Sequence, residues 1–74
     1  MQVSWVRQKD ADILTVDRYT FVRDERLSVY YTADTSTWTL VIKSVQERDS
    51  GAYECQISTE PKMSLLVNLH VIGE

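Results

Sequence analysis

The sequence is short of the residues that usually staple a small domain. Among 74 residues there is one cysteine, Cys55, and one histidine, His70. A chain of this size buries a poor fraction of its surface on folding and commonly relies on a disulfide, a metal or a partner. A single cysteine excludes an internal disulfide, and one cysteine with one histidine is no ligand set for a structural zinc. Glycine and proline are almost as scarce, at two and one, and no phosphate-cradling glycine loop or nucleophile-elbow serine occurs. Asn68 is followed by Leu and His, so there is no N-glycosylation sequon. Positive charge is in deficit, 8 Lys plus Arg against 11 Asp plus Glu, which argues against nucleic acid or an anionic bilayer as partner. No stretch approaches the roughly 20 apolar residues of a membrane span. The start, MQVSWVRQKD, has no apolar centre of the signal-peptide kind.

What is present is alternation. Apolar residues recur with a period of two along nearly the whole chain, and β-branched and aromatic types dominate the apolar positions, a pattern of strands rather than helices. Strands are expected at about 3–8, 12–16, 19–22, 27–31, 38–43, 52–59 and 65–72. Seven short strands in one unit spanning 1–74 predict an all-β sandwich or barrel. The break SVQERDSG, with Gly51, reads as a tight return with room for one helical turn, and EPKM as the last turn. Alternation places Trp38, Leu40 and Ile42 on one face of their strand, Leu27 and Val29 on one face of theirs, and Tyr53, Cys55 and Ile57 on one face of the sixth. Glu54, Gln56 and Ser58 then face outward.

DSGAYEC, Asp49 to Cys55, has the spacing of a tyrosine corner, in which a Tyr two residues before a sandwich Cys bonds back to the upstream backbone. Trp5 in VSWVRQ is the natural packing partner for Cys55. Arg26 and Asp49 sit where a pair closes one end of a sandwich, a pair that resists loss of either partner more than it adds net stability.

Trp5, Arg26, Leu40, Asp49, Gly51, Tyr53 and Cys55 together resemble a V-type immunoglobulin domain, with strands C, C′, C″, D, E, F and G in order. The resemblance implies strands A and B before Trp5, carrying the cysteine that pairs with Cys55. Their absence makes this an N-terminally truncated sandwich and Cys55 a disulfide half without its mate. More narrowly, CQISTEPKMSL with ILTV, RYTF, DERLSV and WTLVIK is similar to the first immunoglobulin domain of the insect Dpr neuronal receptors; lachesin and the IgLON adhesion molecules share parts of the pattern.

That resemblance implies binding without chemistry, through the C-C′-C″-F-G sheet, to a Dpr-interacting-protein-like immunoglobulin receptor or to a second copy, on the outer side of the plasma membrane and in neuronal partner choice. No cofactor, small-molecule substrate or catalytic residue is implied. On C′, Ile13 and Thr15 share one parity and Leu14 and Val16 the other; the resemblance exposes Ile13 and Thr15. Tyr19 and Phe21 on the C″ edge complete an apolar patch of the sort that marks interaction sites, unless Ile13 and Phe21 merely pack under the C′-C″ loop. Gln56 and Ser58 offer rim hydrogen bonds or are simple solvated positions, and Met63 offers an adaptable contact. Two other readings stay open: an immune-type V domain, disfavoured by LLVNLHVIGE lacking a GxG strand motif, and a cytosolic structural immunoglobulin module, which leaves ISTEPKM unexplained. An enzyme is a distant third. With strands D and E alone as the second layer, Trp38, Leu40 and Ile42 should be partly uncovered and the isolated chain poorly folded.

Overall fold

A computed structural model of the chain describes residues 1–72. The alternating segments form β1 (Val3–Arg7), β2 (Asp12–Val16), β3 (Tyr19–Thr20), β4 (Leu27–Thr32), β5 (Thr37–Ile42), β6 (Gly51–Ile57) and β7 (Met63–Leu69), with one 3-10 turn at Glu47–Asp49. They make two antiparallel sheets, one of order β3-β2-β1-β6-β7 and one of β4-β5. The all-β sandwich expected from the period of two is thus the fold adopted.

The core lies between the sheets. Leu14, Leu27 and Tyr53 are buried, with Trp5, Val22, Leu40, Ile42 and Leu69 packed against them. The β4-β5 register pairs Leu27 with Ile42, Val29 with Leu40 and Tyr31 with Trp38, which puts every second residue on the inner face. Trp38, Leu40 and Ile42 are only half-buried, because a layer two strands wide cannot cover one of five. The rings of Tyr31 and Trp38 lie 4.8 Å apart, and the Arg18 guanidinium sits 5.9 Å from the Tyr31 centroid. That cation-π contact ties the β2-β3 turn to the second sheet.

Three local features depart from simple alternation. β3 stops at Thr20 instead of running to 22, since Val22 leaves the sheet to pack on the core. β7 begins at Met63, so this residue pairs with Ile57 rather than forming part of the turn. The third departure matters most for the exposed face. Between Trp5 and Val6 the β1-β2 register shifts: Trp5 pairs with Thr15, but Val6 pairs with Ile13, leaving Leu14 as an extra residue. Such a bulge resets the parity of the strand that carries it. Ile13 therefore stays on Val6's face while Thr15 does not share it. The expectation that Thr15 is exposed is corrected: its side chain is 0% exposed and its hydroxyl accepts a hydrogen bond from the Trp5 amide at 3.2 Å.

The return into β6 uses Gly51 at φ 137, outside the range that residues with a Cβ readily adopt. Asp17, with φ 51, turns the chain from β2 to β3. Its carboxylate accepts the Val3 amide at 2.9 Å and its own N–H donates to the Val3 carbonyl at 2.7 Å, clamping that turn to the start of β1.

Candidate functional site

Two groups of side chains meet on β6, one facing in and one facing out. The inward group is a closed corner. The Tyr53 hydroxyl donates to the Asp49 carbonyl oxygen, as the DSGAYEC spacing predicts. The Asp49 carboxylate accepts from Arg26 Nη1 at 2.8 Å and Nη2 at 3.1 Å, and from the Gln46 amide at 2.8 Å. Arg26 spends its remaining N–H groups on Asp24, through Nε and Nη2, and on the Ser44 carbonyl. All five donors of the guanidinium fork are engaged. These bonds hold the Asp49 carboxyl at about 2, chiefly through Arg26, and push the Arg26 pKa above its already high ordinary value through Asp49 and Asp24. Burial raises the Tyr53 phenol above its usual range, so it remains the donor.

Cys55 and Trp5 lie behind this corner and oppose each other across the β1-β6 register. Cys55 is a buried free thiol whose pKa is raised by burial alone. A reactive cysteine has the reverse setting, cationic and accessible. The Trp5 Nε1 is buried and meets no acceptor among the described residues. His70 is exposed beyond the end of β7. Among the described residues no group of three His, Cys, Asp or Glu could hold a metal ion, and no helix is long and apolar enough to cross a membrane.

The outward group spreads over the five-stranded sheet. Ile13 is 45% exposed, Tyr19 78% and Phe21 70%, large apolar side chains left in water, while Met63, 55% exposed, pairs with Ile57 at the start of β7. Tyr19 pairs with Val16 at the β3 edge, and the Phe21 amide bonds to the Leu14 carbonyl at 2.8 Å, so Phe21 continues beside β2 after β3 ends. Gln56 and Ser58 are both exposed. Neither is idle: Gln56 Nε2 donates to Glu54 at 2.7 Å, and the Ser58 hydroxyl accepts the Gln2 amide at 2.7 Å. Of the seven residues that the family resemblance assigns to a partner, Ile13, Tyr19, Phe21, Gln56, Ser58 and Met63 present surface to solvent, whereas Thr15 presents none.

Three further residues join this face: Val6 and Glu54, which alternation places outward without a role, and Leu66. Val6 and Leu66 flank Glu54 in register, and Val6 pairs on its other side with Ile13. Val6 is buried although it points away from the core, because its neighbours on the face cover it; Leu66 is 58% exposed. Leu66 had a sequence signal, since in LLVNL two adjacent leucines cannot both face inward. Glu54 had an assigned parity, but its neighbours come from strands far apart in sequence. β7 also exposes Leu65 and Val67, at 66% and 43%, although they pair with the buried Cys55 and Tyr53. The narrow second sheet does not reach them.

Comparison with known proteins supplies the relatives. The immunoglobulin I-set domain family matches residues 1–64. The chain is similar to Dpr11 IG1, solved bound to DIP-gamma IG+IG2, at 54% identity and a TM-score of 0.90, covering 96% of this chain and 74% of that one. It is similar to ZIG-8 IG1, solved as a homodimer, at 31% identity and a TM-score of 0.89, covering 96% of this chain and 60% of that one. Lachesin of Schistocerca americana is 37% identical over 73 residues, 96% of this chain but 21% of the lachesin. The chain thus spans about a fifth of that curated relative's length.

Proposed function

This chain belongs to the immunoglobulin I-set family, among the first domains of the Dpr type, and from that premise we propose that it is a recognition module that binds another immunoglobulin domain through its five-stranded sheet. The parent protein would display it on the outer side of the plasma membrane, where such binding helps neurons choose partners and organise synapses. The relatives work by binding: Dpr11 IG1 is held in a complex with DIP-gamma, and ZIG-8 IG1 with a second copy of itself.

The observation that carries the proposal is the exposed apolar cluster of Ile13, Tyr19 and Phe21 at the β2-β3 side of the sheet. Water contact at three such side chains on one side of a small domain marks an interaction surface, and an apolar centre inside a polar rim is the arrangement that concentrates binding energy. Met63, Gln56 and Ser58 border this surface on β6, β7 and the turn between them; Thr15 supports it from beneath by fixing the Trp5 amide.

The test is Ile13→Asp in the completed domain, read by surface binding to immobilised DIP-gamma immunoglobulin domains, with circular dichroism to establish the fold. A carboxylate forced into the covered centre should weaken binding by about 2 to 5 kcal/mol. Undiminished affinity with the fold intact would remove Ile13 from the interface and with it the proposed face.

A further inference from the structure

Glu54 is chemically out of place in its row. Across the middle of the sheet the register reads Ile13, Val6, Glu54, Leu66, a carboxylate between apolar neighbours. Two amides pin it, Gln8 Nε2 from a diagonal position across the strands at 2.9 Å and Gln56 Nε2 from two residues along the same strand at 2.7 Å, and both donate to the same oxygen, Oε1. Oε2 receives no hydrogen bond among the described residues. Lys62 lines an open hollow with Glu54 and Gln56 but forms no ion pair with Glu54. The side chain is half-buried, so water serves Oε2 while the face is open. When a protein covers the face that water is lost, and an ionised carboxylate is tolerated there only if the newcomer brings a donor.

We propose that Glu54 sets the choice of partner: it disfavours a second copy of this chain and favours an immunoglobulin domain that presents a cationic or amide donor opposite it. This rests on the sheet face being the docking surface. In a twofold contact one patch meets itself, and a residue near the axis approaches its own copy. β1 is the middle strand of five and β6 is its neighbour. Strands are spaced by about 4.8 Å, so for two sheets crossing at their centres the Glu54 carboxylates come within roughly 10 Å of each other. At that distance, with water displaced, like charges repel appreciably. The two glutamines prevent the usual escape, in which a flexible acid swings to the rim. Specificity of this kind comes from a repulsive element as much as an attractive one.

The self-association half is tested in the completed immunoglobulin domain, by analytical ultracentrifugation of wild type, Glu54→Gln, Glu54→Lys and an equimolar mixture of wild type with Glu54→Lys. Glu54→Gln should dimerise at least about tenfold more tightly than wild type, and the mixture should associate more tightly than either component. Equal constants for wild type and Glu54→Gln, or a mixture no tighter than wild type, would overturn the proposal. The partner half uses DIP-gamma immunoglobulin domains as probe: Glu54→Lys should lose at least about tenfold in affinity, and full retention would overturn it. Adding Ile13→Asp to Glu54→Gln separates the role of Glu54 from that of the face. Loss of the new dimer keeps the face as the contact; a dimer that persists means that the sheet face is not the docking surface.

Discussion

Tyr53 and Glu54 are neighbours in sequence and opposites in chemistry. Tyr53 points into the Arg26-Asp49 corner, where its hydroxyl, both carboxylate oxygens of Asp49 and all five guanidinium donors of Arg26 are answered within the molecule. Glu54 points out to a face where Ile13, Tyr19, Phe21 and Leu66 remain in water and one carboxylate oxygen is unanswered among the described residues. A saturated cluster has nothing left to offer a partner and holds one geometry; an unsaturated face gains from being covered. Period-two alternation on a single strand is what lets β6 serve both ends. Substitutions in the corner should therefore change stability and leave binding alone, and substitutions on the face should do the reverse.

The largest effect expected inside the corner comes from Asp49→Ala. It strips the Arg26 guanidinium of its most shielded partner and leaves the Gln46 amide without an acceptor. Breaking a shielded pair from one side costs about 3 to 5 kcal/mol, and the lower end applies here because Arg26 keeps some access to water. Against the roughly 5 to 15 kcal/mol that holds a typical domain together, urea unfolding should show a large loss. The same carboxylate makes stability depend on acid. Its folded-state pKa of about 2 lies below the ordinary 3.8, so it stabilises the fold above about pH 4 and that contribution is lost as pH falls through about 2. Wild type should weaken across this window, and Asp49→Ala should weaken much less steeply. A fall in DIP-gamma affinity for the folded fraction of Asp49→Ala would break the division between corner and face.

The corner was legible in the sequence because its geometry is local: Asp49, Gly51, Tyr53 and Cys55 are spaced within one turn and one strand, and Arg26 was placed opposite Asp49 by its position at the start of the fourth strand. The exposed face was legible only where alternation held. Ile13 follows it, but one extra residue at Leu14 reverses Thr15, and ILTV carries no turn residue or glycine to announce a bulge. Glu54 was assigned to the outer face yet its significance could not be read, because it depends on Gln8, 46 positions away, and on Val6 and Leu66 flanking it from two other strands. The exposure of Leu65 and Val67 on β7 was equally hidden, since the width of the opposing layer decides it.

Tyr53→Phe is a smaller probe of the same corner. It keeps the buried ring and removes only the hydroxyl, leaving the Asp49 carbonyl without its side-chain donor. An unanswered buried acceptor costs about 1 to 3 kcal/mol, so the midpoint of urea unfolding should drop with an unchanged slope. Binding at the proposed face, which Glu54 occupies one residue on, should not move. If it does, the two faces of β6 communicate through the backbone, and the corner positions the docking surface as well as holding the fold.

Gly51→Ala makes the finest cut, because it tests backbone strain apart from packing. A Cβ built at Gly51 meets nothing within 4 Å, so no atom obstructs it. Its φ of 137 is nevertheless a conformation that residues with a Cβ rarely adopt. The substitution should therefore cost about 1 kcal/mol, the outcome for alanine at an incompatible φ. A stability equal to wild type would mean that the chain turns into β6 by another path, and the corner would then have slack that its saturated hydrogen bonds argue against. A loss of stability with DIP-gamma affinity unchanged would place the strain wholly on the corner side of the strand, three residues from the outward carboxylate of Glu54.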